Sequence, residues 1–372
     1  MDVKFYSHRK SPAILGATEM EEVKKFDETK MGVKGLSDSG ITSIPKFFIH
    51  PPESLLDLHP NPTQTPLSIP TIDLSAINSD RAKIINQVKE AASNWGFFQI
   101  INHGISQSVL NSTLQSIRSF HDQPHEIKSK YYKRQEIGGV MYASNNALYR
   151  SKAAAWHDSL QIWMGPPASA KAEEIPEICR KEMLDWDVLC KIVGDTVLEL
   201  LSEGLGLDAG KFKELTFGEV RVLLGHCYPY CPQPDLTVGI TAHTDPGFMT
   251  VLLQDEIGGL QVKHGDGWVD VKPIDGGLII NVGDFLQIVS NGEYKSVQHR
   301  VLANSSKQPR ISVVSFFNLS KWRGPNNFYG PLPELLSAEK PPIYRNFTQQ
   351  EFFDNYFSKG LDTKSLIHKF QI

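Results

Sequence analysis

The stretch from Leu236 to Leu253, LTVGITAHTDPGFMTVLL, decides the fold. Apolar, strand-like residues precede and follow a polar motif, His243-Thr244-Asp245. Because side chains two residues apart on a strand project from the same face, a strand end at this motif presents His243 and Asp245 side by side. The stretch therefore predicts a β-strand that ends in two metal ligands.

A second histidine, His299, follows later in the chain within another strand-like run. Two imidazoles and one carboxylate on one side of a metal leave coordination positions open. This arrangement suits non-haem Fe(II) that must bind a co-substrate and O2 together. A lone histidine is more often a core or surface residue, but the neighbouring motifs favour a ligand here. The pattern predicts an oxygen-activating iron enzyme whose catalytic metal ligands are His243, Asp245 and His299.

The His-x-Asp pattern occurs a second time, at His264-Gly265-Asp266, and only one copy can be the metal site. The Asp266-Gly267 pair lies between two strand-like runs and is a strong hairpin signal. Turn chemistry alone explains each residue of this second copy. We therefore predict a solvent-exposed hairpin turn there and no metal ligand.

The motif Arg310-Ile311-Ser312 predicts a site for a carboxylate. Arg310 and Ser312 are two residues apart, so a guanidinium and a hydroxyl face the same way on a strand. Apolar neighbours indicate that Arg310 is buried, and a buried Arg needs an anionic partner. No acidic residue lies nearby in sequence, whereas a dicarboxylate ligand would supply the partner through a bidentate contact.

Over nearly its whole length the chain resembles plant 2-oxoglutarate- and Fe(II)-dependent dioxygenases. The resemblance rests on motifs spread along the chain. They are WGFFQIINHG from Trp95, YPYCPQP from Tyr228, NVGD from Asn281 and SNGEYKS from Ser290. The opening, with FDETK from Phe26 and GVKGL from Gly32, resembles one branch of that family. This branch comprises the homologues of 1-aminocyclopropane-1-carboxylate oxidase that include deacetoxyvindoline 4-hydroxylase, which implies plant specialised metabolism.

The resemblance implies roles for individual residues. His243, Asp245 and His299 would bind Fe(II), while Arg310 and Ser312 would bind the distal carboxylate of 2-oxoglutarate. Tyr228 would add a hydrogen bond from its phenol to the same carboxylate. One position departs from the pattern, because relatives usually have Asn two residues before this Tyr and the present chain has His226. A histidine keeps a hydrogen-bonding group there, but its charge can change near neutral pH.

The implied reaction consumes 2-oxoglutarate and O2, releases succinate and CO2, and oxidises a substrate C–H bond by hydroxylation or O-demethylation, with ascorbate as reductant. Counting by twos from Arg310 and Ser312 puts Val314 and Phe316 on the same face, so both are candidates for the substrate wall. Ordinary barrel core is the alternative for Phe316. Three other functions stay open: an oxidase that uses ascorbate instead of 2-oxoglutarate, a non-catalytic small-molecule-binding barrel, and a zinc hydrolase.

Composition limits the class of protein. The chain has 372 residues and a mass of 41.7 kDa, enough for one large domain or two ordinary ones. Its net charge of −4 argues against a nucleic-acid surface. The four cysteines form no C-x-x-C pair, and the N-terminus has no apolar signal core. We expect a cytoplasmic monomer that acts on a small molecule, without nucleic-acid or membrane partners.

The order of patterns predicts a mixed α/β fold with a β-rich core, a double-stranded β-helix (jelly roll) with flanking helices. Helical spacing predicts a helix after Ser79-Asp80 that stops at Gly96, and a long helix from about Glu174 to Leu205. Strands are predicted at 68–74 and 97–102, and short β-rich segments follow from Val220. We divide the chain into an N-terminal extension packed on the body (1–67), a helical and strand region (68–210), the jelly-roll core (211–345) and a C-terminal helical tail (346–372). This tail packs on the body or closes over the cavity, and we favour packing.

Overall fold

The computed structural model describes most of the chain. The described residues are 17–55, 58, 67–134, 138–145, 148–149, 151–165, 169–319, 328–357 and 366–372. The predicted N-terminal extension (1–67) and C-terminal tail (346–372) therefore lie only partly within the described residues. The N-terminal residues, in which the sequence has no apolar signal core, lie outside them, as does most of the proline-rich end of the extension.

Helices occur from one end of the described chain to the other. In chain order they are α1 (Ala17–Thr29), α2 (Gly32–Asp38), α3 (Pro52–Leu55), α4 (Arg81–Asn94), α5 (Gln107–His121), α6 (His125–Lys128), α7 (Glu177–Gly204), α8 (Lys211–Glu214), α9 (Asp284–Val289) and α10 (Gln349–Phe357).

Strands provide the centre of the fold. In chain order they are β1 (Thr71–Asp73), β2 (Phe97–Ile101), β3 (Val140–Ser144), β4 (Asp158–Met164), β5 (Phe217–Tyr228), β6 (Val238–His243), β7 (Met249–Gln254), β8 (Leu260–His264), β9 (Gly267–Asp270), β10 (Leu278–Val282), β11 (His299–Leu302), β12 (Arg310–Leu319), β13 (Phe328–Tyr329) and β14 (Phe347–Thr348).

Two facing sheets build a jelly roll, as the sequence predicts. The large sheet has the order β1-β2-β10-β7-β12-β5-β4-β3, and the small sheet has the order β6-β11-β8-β9. All pairs in both sheets are antiparallel except β1 with β2. Such a double sheet encloses a cavity and carries ligands on rigid strands.

The alternation of side chains divides the core into two parts. One set of buried side chains lies between the sheets, and we call it the inter-sheet cluster. Its members are Ile69, Phe97, Val222, Leu224, Tyr228, Leu252, Leu260, Val262, Val271, Ile279, Val301 and Val314, with Trp95, Trp163, Ile240, Val297 and Phe316 packed against it. The alternate residues of the large sheet face the helices in a larger outer cluster, where Met183, Trp186 and Val193 of α7 pack.

The elements named from sequence are present with shifted ends. The helix after Asp80 is α4, and the Asp80 side chain accepts a hydrogen bond from the Lys83 backbone N–H as its N-cap. The long helix is α7, and the strand at 97–102 is β2. The strand at 68–74 is shorter, because a 3-10 turn replaces its end at Leu74–Ala76.

The large sheet extends beyond the segment from which the sequence predicts the jelly roll. Strands β1 to β4 come from residues 71–164, and within the sheet β2 pairs with β10 while β4 pairs with β5. The segments 68–210 and 211–345 therefore share one sheet. The four-part division of the chain stays a prediction, but these two segments are joined by backbone hydrogen bonds.

Both ends of the described chain pack on the body. Near the N-terminus, Val23, Phe26 and Phe48 form a buried cluster with Trp156. At the other end, the α10 residue Phe352 is buried among aromatic rings of Phe285, Phe347 and Phe370. No helix among the described residues is long and apolar enough to span a membrane.

Asp158 of β4 attaches the N-terminal helices to the sheet. Its buried carboxylate accepts hydrogen bonds of 2.8 Å from the backbone N–H groups of Val33 and Lys34, at the start of α2. Tyr142 and Ser144 of β3 donate their hydroxyls to the same carboxylate. The two N–H groups have no intrahelical acceptor, so Asp158 supplies their hydrogen bonds.

We predict that Asp158→Ala lowers the free energy of unfolding by about 3 kcal/mol, because it leaves several buried donors without an acceptor. Urea denaturation monitored by circular dichroism measures this loss. The matched control is Asp185→Ala, which removes an exposed ion pair with Lys181 and should leave the free energy of unfolding nearly unchanged. Equal effects of the two substitutions would contradict the role of Asp158.

Candidate active site

Strand pairing in the small sheet brings the two predicted imidazole ligands together. His243 ends β6, His299 begins β11, and the two residues are direct partners in the antiparallel register. Asp245 follows two residues after His243, and its Oδ1 lies 3.6 Å from Nε2 of each histidine. The three candidate ligand atoms all lie within 4.8 Å of one another. The structure therefore gathers all three residues that the sequence selects as metal ligands.

Backbone carbonyls orient both imidazoles. Nδ1 of His243 lies 2.8 Å from the Thr241 carbonyl oxygen, and Nδ1 of His299 lies 3.4 Å from that of Val297. A proton on Nδ1 donates to the carbonyl in each case and leaves the lone pair of Nε2 free. Such contacts fix the tautomer and the ring orientation of metal-binding histidines.

Two side chains that the sequence did not identify hold the carboxylate of Asp245. Thr250 donates its hydroxyl to Oδ2 at 2.6 Å, and Asn281 donates its amide N–H to the same oxygen at 2.7 Å. Oδ1 is left facing the imidazoles. Asn281 belongs to a motif quoted for the family resemblance, so that motif was the available signal for its importance.

The backbone of the same motif also approaches the Asp245 loop. The Asp284 N–H donates to the Asp245 carbonyl oxygen at 2.7 Å. A Cβ on Gly283 would lie 2.1 Å from the Gly247 carbonyl oxygen, so this position requires glycine. The loop that carries Asp245 is therefore fixed by backbone as well as by side chains.

The electrostatics of the three residues suit a divalent cation. Burial alone would raise the pKa of Asp245, but the neighbouring His299 and His243 together with its hydrogen bonds outweigh burial and lower that pKa. Burial, with a contribution from His243, lowers the pKa of His299 to about 4. Asp245 is thus a carboxylate and His299 a neutral imidazole, the forms that bind metal. Two nitrogens and one oxygen with open positions fit non-haem Fe(II).

The predicted carboxylate site lies where β5 pairs with β12. Tyr228 is opposite Arg310, and His226 is opposite Ser312. Arg310 is only 2% exposed, and its guanidinium carbon lies 4.8 Å from the centre of the Tyr228 ring. Burial raises the pKa of Tyr228, and Arg310 and Ser312 oppose that rise. All three predicted residues are therefore neighbours on the cavity side of the large sheet.

The partners of Arg310 among the described residues are neutral. Nη2 donates to Oε1 of Gln254 at 2.8 Å, and Nη1 lies 3.5 Å from the Ser312 hydroxyl. The Arg310 Nε and the Gln254 Nε2 are buried without any hydrogen-bond partner. Asp255 interacts with Arg310 electrostatically, but it accepts its hydrogen bonds from Arg118 and the Ile311 backbone N–H. The guanidinium thus has no direct carboxylate partner among the described residues, and the site fits an added anion such as a dicarboxylate.

Gln254 was missed from the sequence because its importance depends on register. It ends β7 directly opposite Ser312, so both side chains project to the same face as Arg310. The available signal was a single polar residue at the end of an apolar run, which is also typical of an ordinary strand end.

His226 occupies a drier environment than its sequence position suggests. It is buried, and its Nδ1 lies 2.7 Å from the hydroxyl of Ser159. Burial, with contributions from His157 and Arg310, lowers the pKa of His226 well below its ordinary value. The expectation that its charge changes near neutral pH is therefore wrong, because His226 stays neutral there.

The two candidates for the substrate wall lie in different rows of the large sheet. Phe316 is opposite Thr250, the residue that donates to Asp245, whereas Val314 is opposite Leu252. Phe316 is partly buried and packs against the inter-sheet cluster, of which Val314 is a member. Phe316 is therefore the nearer of the two to the metal-side row, and its contact with substrate stays a prediction.

The second His-x-Asp copy is a hairpin turn, as predicted. His264 of β8 is opposite Gly267 of β9, with Gly265 at a positive φ of 56° between them. The His264 ring stacks on Trp95 with centroids 3.8 Å apart, so it is half-buried. The expectation that His264 is solvent-exposed is therefore wrong. Asp266 is exposed, and neither residue belongs to the metal-competent group.

Family models match the two halves of this architecture. The model of the 2OG-Fe(II) oxygenase superfamily matches residues 219–319, which contain His243, Asp245, His299, Arg310 and Ser312. A second model, described as non-haem dioxygenase in morphine synthesis N-terminal, matches residues 69–181.

Similar proteins cover nearly the whole chain. The 1-aminocyclopropane-1-carboxylate oxidase homolog 6 of Arabidopsis thaliana is 46% identical over 94% of this chain and 97% of its own. A homolog from Solanum lycopersicum is 44% identical over 95% of this chain and 97% of its own. The crystal structure of JOX2 in complex with 2OG, Fe and JA superposes with a TM-score of 0.78 and 30% identity, covering 92% of this chain and 97% of that one. Taken with the site geometry, these similarities show that the chain belongs to the 2-oxoglutarate–Fe(II) oxygenase superfamily, together with the plant 1-aminocyclopropane-1-carboxylate oxidase homologues, and is an oxidoreductase.

Proposed function

We propose that this enzyme oxidises a C–H bond of a small plant specialised metabolite, by hydroxylation or O-demethylation, while it converts 2-oxoglutarate and O2 to succinate and CO2. The observation that carries the proposal is the pairing of two features in one inter-sheet space. Nε2 of His243, Nε2 of His299 and Oδ1 of Asp245 converge at one end. Arg310, a buried cation with neutral partners, lies at the other.

In this proposal His243, Asp245 and His299 hold Fe(II), and Arg310, Ser312 and Tyr228 hold the distal carboxylate of 2-oxoglutarate. Bound Fe(II) with 2-oxoglutarate and O2 supplies the oxidising power for the attack on the C–H bond. The protein contributes orientation and the exclusion of water. The apolar inter-sheet cluster provides the water-poor surroundings, and Phe316 with Val314 provides the wall on which the substrate lies.

The chemical nature of the substrate is supported by a structural neighbour. JOX2, the structural neighbour, was crystallised with 2OG, Fe and JA, which supports a small organic substrate in the same cavity. Kinship with deacetoxyvindoline 4-hydroxylase, ascorbate as reductant, a monomeric state and a cytoplasmic location stay proposals. Membership of an oxidoreductase family argues against a non-catalytic barrel and a zinc hydrolase. The buried Arg310 favours 2-oxoglutarate as co-substrate, because the distal carboxylate of 2-oxoglutarate can pair with the guanidinium. An oxidase that uses ascorbate instead would leave Arg310 without a carboxylate partner.

The substrate itself can be found by a direct screen. The purified enzyme, with Fe(II), 2-oxoglutarate and ascorbate, is offered alkaloids, flavonoids, coumarins and glucosinolate-type compounds. A gain of one oxygen indicates hydroxylation, and loss of a methylene unit indicates demethylation. Product masses that depend on 2-oxoglutarate support the proposal.

We predict that His243→Ala, Asp245→Ala and His299→Ala each abolish succinate formation and iron retention, because each removes one of three protein ligands. Asn281→Ala should weaken metal affinity by about 10- to 100-fold, since it removes a hydrogen bond that orients Asp245. Iron content after gel filtration and succinate release measure both effects.

The control variants are His264→Ala and Asp266→Ala in the β8–β9 hairpin, which should retain iron. His264→Ala loses the stack on Trp95, so a small decrease in thermal stability is expected without loss of metal. If the hairpin variants lose iron and the first three retain it, the assignment of the metal ligands is wrong.

We predict that Arg310→Lys raises the KM for 2-oxoglutarate by roughly ten- to a hundred-fold, because the charge is retained but the planar fork is lost. Ser312→Ala removes a neutral hydroxyl and should weaken binding by about 0.5 to 1.5 kcal/mol. Gln254→Leu removes the amide oxygen that accepts a hydrogen bond from Arg310. It should raise the KM for 2-oxoglutarate more than Ser312→Ala does and less than Arg310→Lys does.

Titration of 2-oxoglutarate against succinate formation measures all three variants of the carboxylate site. Iron content serves as the control and should not change. An unaltered titration curve for Arg310→Lys would contradict the anchor and favour the ascorbate-driven oxidase.

We predict that the KM for 2-oxoglutarate shows no transition from His226 between pH 6 and 8, because burial keeps this imidazole neutral throughout that range. The variant His226→Asn should change the KM at any single pH in the range if the side chain contacts the co-substrate. Measurements at pH 6, 7 and 8 in both proteins separate the two effects. A transition in the wild type that His226→Asn abolishes would show that the imidazole titrates after all.

A further inference from the structure

Strand β4 presents polar side chains to the space between the sheets. Ser159 contacts His226, and Trp163 packs against the inter-sheet cluster, so both face the cavity. Gln161 lies between them and shares their face, because alternate residues of a strand point the same way. The residues that alternate with them pack in the outer cluster; they are Leu160, Ile162 and Met164.

The amide of Gln161 is unpaired in an otherwise apolar row. Gln161 is opposite Leu224, which in turn is opposite Val314. Gln161 is partly buried. Among the described residues its side-chain amide has no hydrogen-bond partner. Unlike Nε1 of Trp163, the amide atoms of Gln161 are not among the fully buried atoms without a partner, so water reaches them. A ligand oxygen that displaces this water takes over its hydrogen bond.

The indole of Trp163, two residues along the same face, lacks a partner as well. Its Nε1 is buried without an acceptor. Two other tryptophans show the usual outcome, since Nε1 of Trp156 donates to the Tyr230 carbonyl oxygen at 3.2 Å and Nε1 of Trp186 donates to the Ser315 hydroxyl at 3.0 Å. Trp163 and Gln161 therefore offer adjacent, unused hydrogen-bonding groups on one face of β4.

Cross-strand register relates this pair to the metal end of the cavity. Trp163 is opposite Val222, Val222 is opposite Phe316, and Phe316 is opposite Thr250, which donates to Asp245. Neighbouring strands lie about 4.8 Å apart, so three spacings separate the backbones of Trp163 and Thr250 by about 14 Å. The side chains between them are apolar.

We propose that Gln161 and Trp163 bind a hydrogen-bond-accepting oxygen of the primary substrate, whose apolar body lies over Phe316 and Val314. Both donors are uncharged, so they suit a carbonyl or ether oxygen. The substrate class is then a largely apolar molecule, long enough to reach from β4 toward Asp245, with an uncharged acceptor oxygen at the end remote from the oxidised carbon. This inference rests on the proposed function, because it presumes that oxidation occurs beside Asp245.

A matched pair of probes tests the inference without knowledge of the natural substrate. The probes are 4-acetyl-4′-methylbiphenyl and 4-ethyl-4′-methylbiphenyl, which share shape and length and differ in the carbonyl oxygen. Affinities are measured by calorimetry on anaerobic enzyme loaded with Fe(II) and 2-oxoglutarate. The acetyl probe is expected to bind about three- to tenfold more tightly, the range that a neutral hydrogen bond provides. Equal affinities, or no binding of either probe, overturn the inference.

Variants locate the preference on β4. In the double variant Gln161→Leu, Trp163→Phe the two affinities should agree within about twofold, because the donors are gone and the apolar surface remains. The ethyl probe reports on the integrity of the cavity and should bind this variant as tightly as it binds the wild type. The matched control is Trp268→Phe, whose ring packs against Arg300 and Lys263 outside the inter-sheet cluster. This control should keep the full preference for the acetyl probe over the ethyl probe. If the double variant keeps the same preference, the assignment to Gln161 and Trp163 is overturned.

The same samples separate this inference from the proposed function. Binding of 2-oxoglutarate to the Fe(II) enzyme is titrated before either probe is added. If 2-oxoglutarate binds and the probe preference is missing, only the inference about the substrate fails. If 2-oxoglutarate does not bind, the proposed function itself fails.

Discussion

The antiparallel pairing of β6 with β11 is the constraint on which the rest of the site depends. It places His243 opposite His299, and the two-residue step to Asp245 completes a cluster of three ligand atoms within 4.8 Å. Because a one-residue slip in register would turn a ligand to the opposite face, the whole barrel must preserve this pairing. Thr250 and Asn281, from the facing sheet, then hold Asp245 in place, so the metal end joins both sheets.

A second constraint is the buried charge at the other end of the cavity. Arg310 is held by neutral groups and has no ion pair among the described residues, while the nearby Asp255 pairs with Arg118. Asp255 also accepts from the Ile311 backbone N–H, which fixes the start of β12. The protein thus stabilises the position of Arg310 without neutralising it. This arrangement leaves the guanidinium available to a ligand carboxylate.

Much of this site is predictable from sequence, because its central residues follow local rules. Counting by twos is enough to place Ser312 beside Arg310, and turn chemistry is enough to reject His264 as a ligand. The same count selects Asp245, but β6 ends at His243, so Asp245 lies in the following loop and is held there by Thr250 and Asn281. Residues such as Gln254 and Gln161 were missed, since their importance comes from partners on strands far away in the chain. The lowered pKa of His226 likewise depends on its burial and on the charges of His157 and Arg310, which are distant in the chain. The recruitment of β1 to β4 into the large sheet is a non-local pairing of the same kind.

The central claim is that one cavity holds a metal at His243, Asp245 and His299 and a carboxylate at Arg310. A crystal structure of the enzyme grown anaerobically with Fe(II) and 2-oxoglutarate, with anomalous data at the iron edge, tests it most directly. The account predicts one strong anomalous peak bonded to Nε2 of both histidines and to Oδ1 of Asp245, with the distal carboxylate of 2-oxoglutarate on the Arg310 guanidinium. An iron peak elsewhere, or 2-oxoglutarate bound to iron with its distal carboxylate away from Arg310, would contradict it.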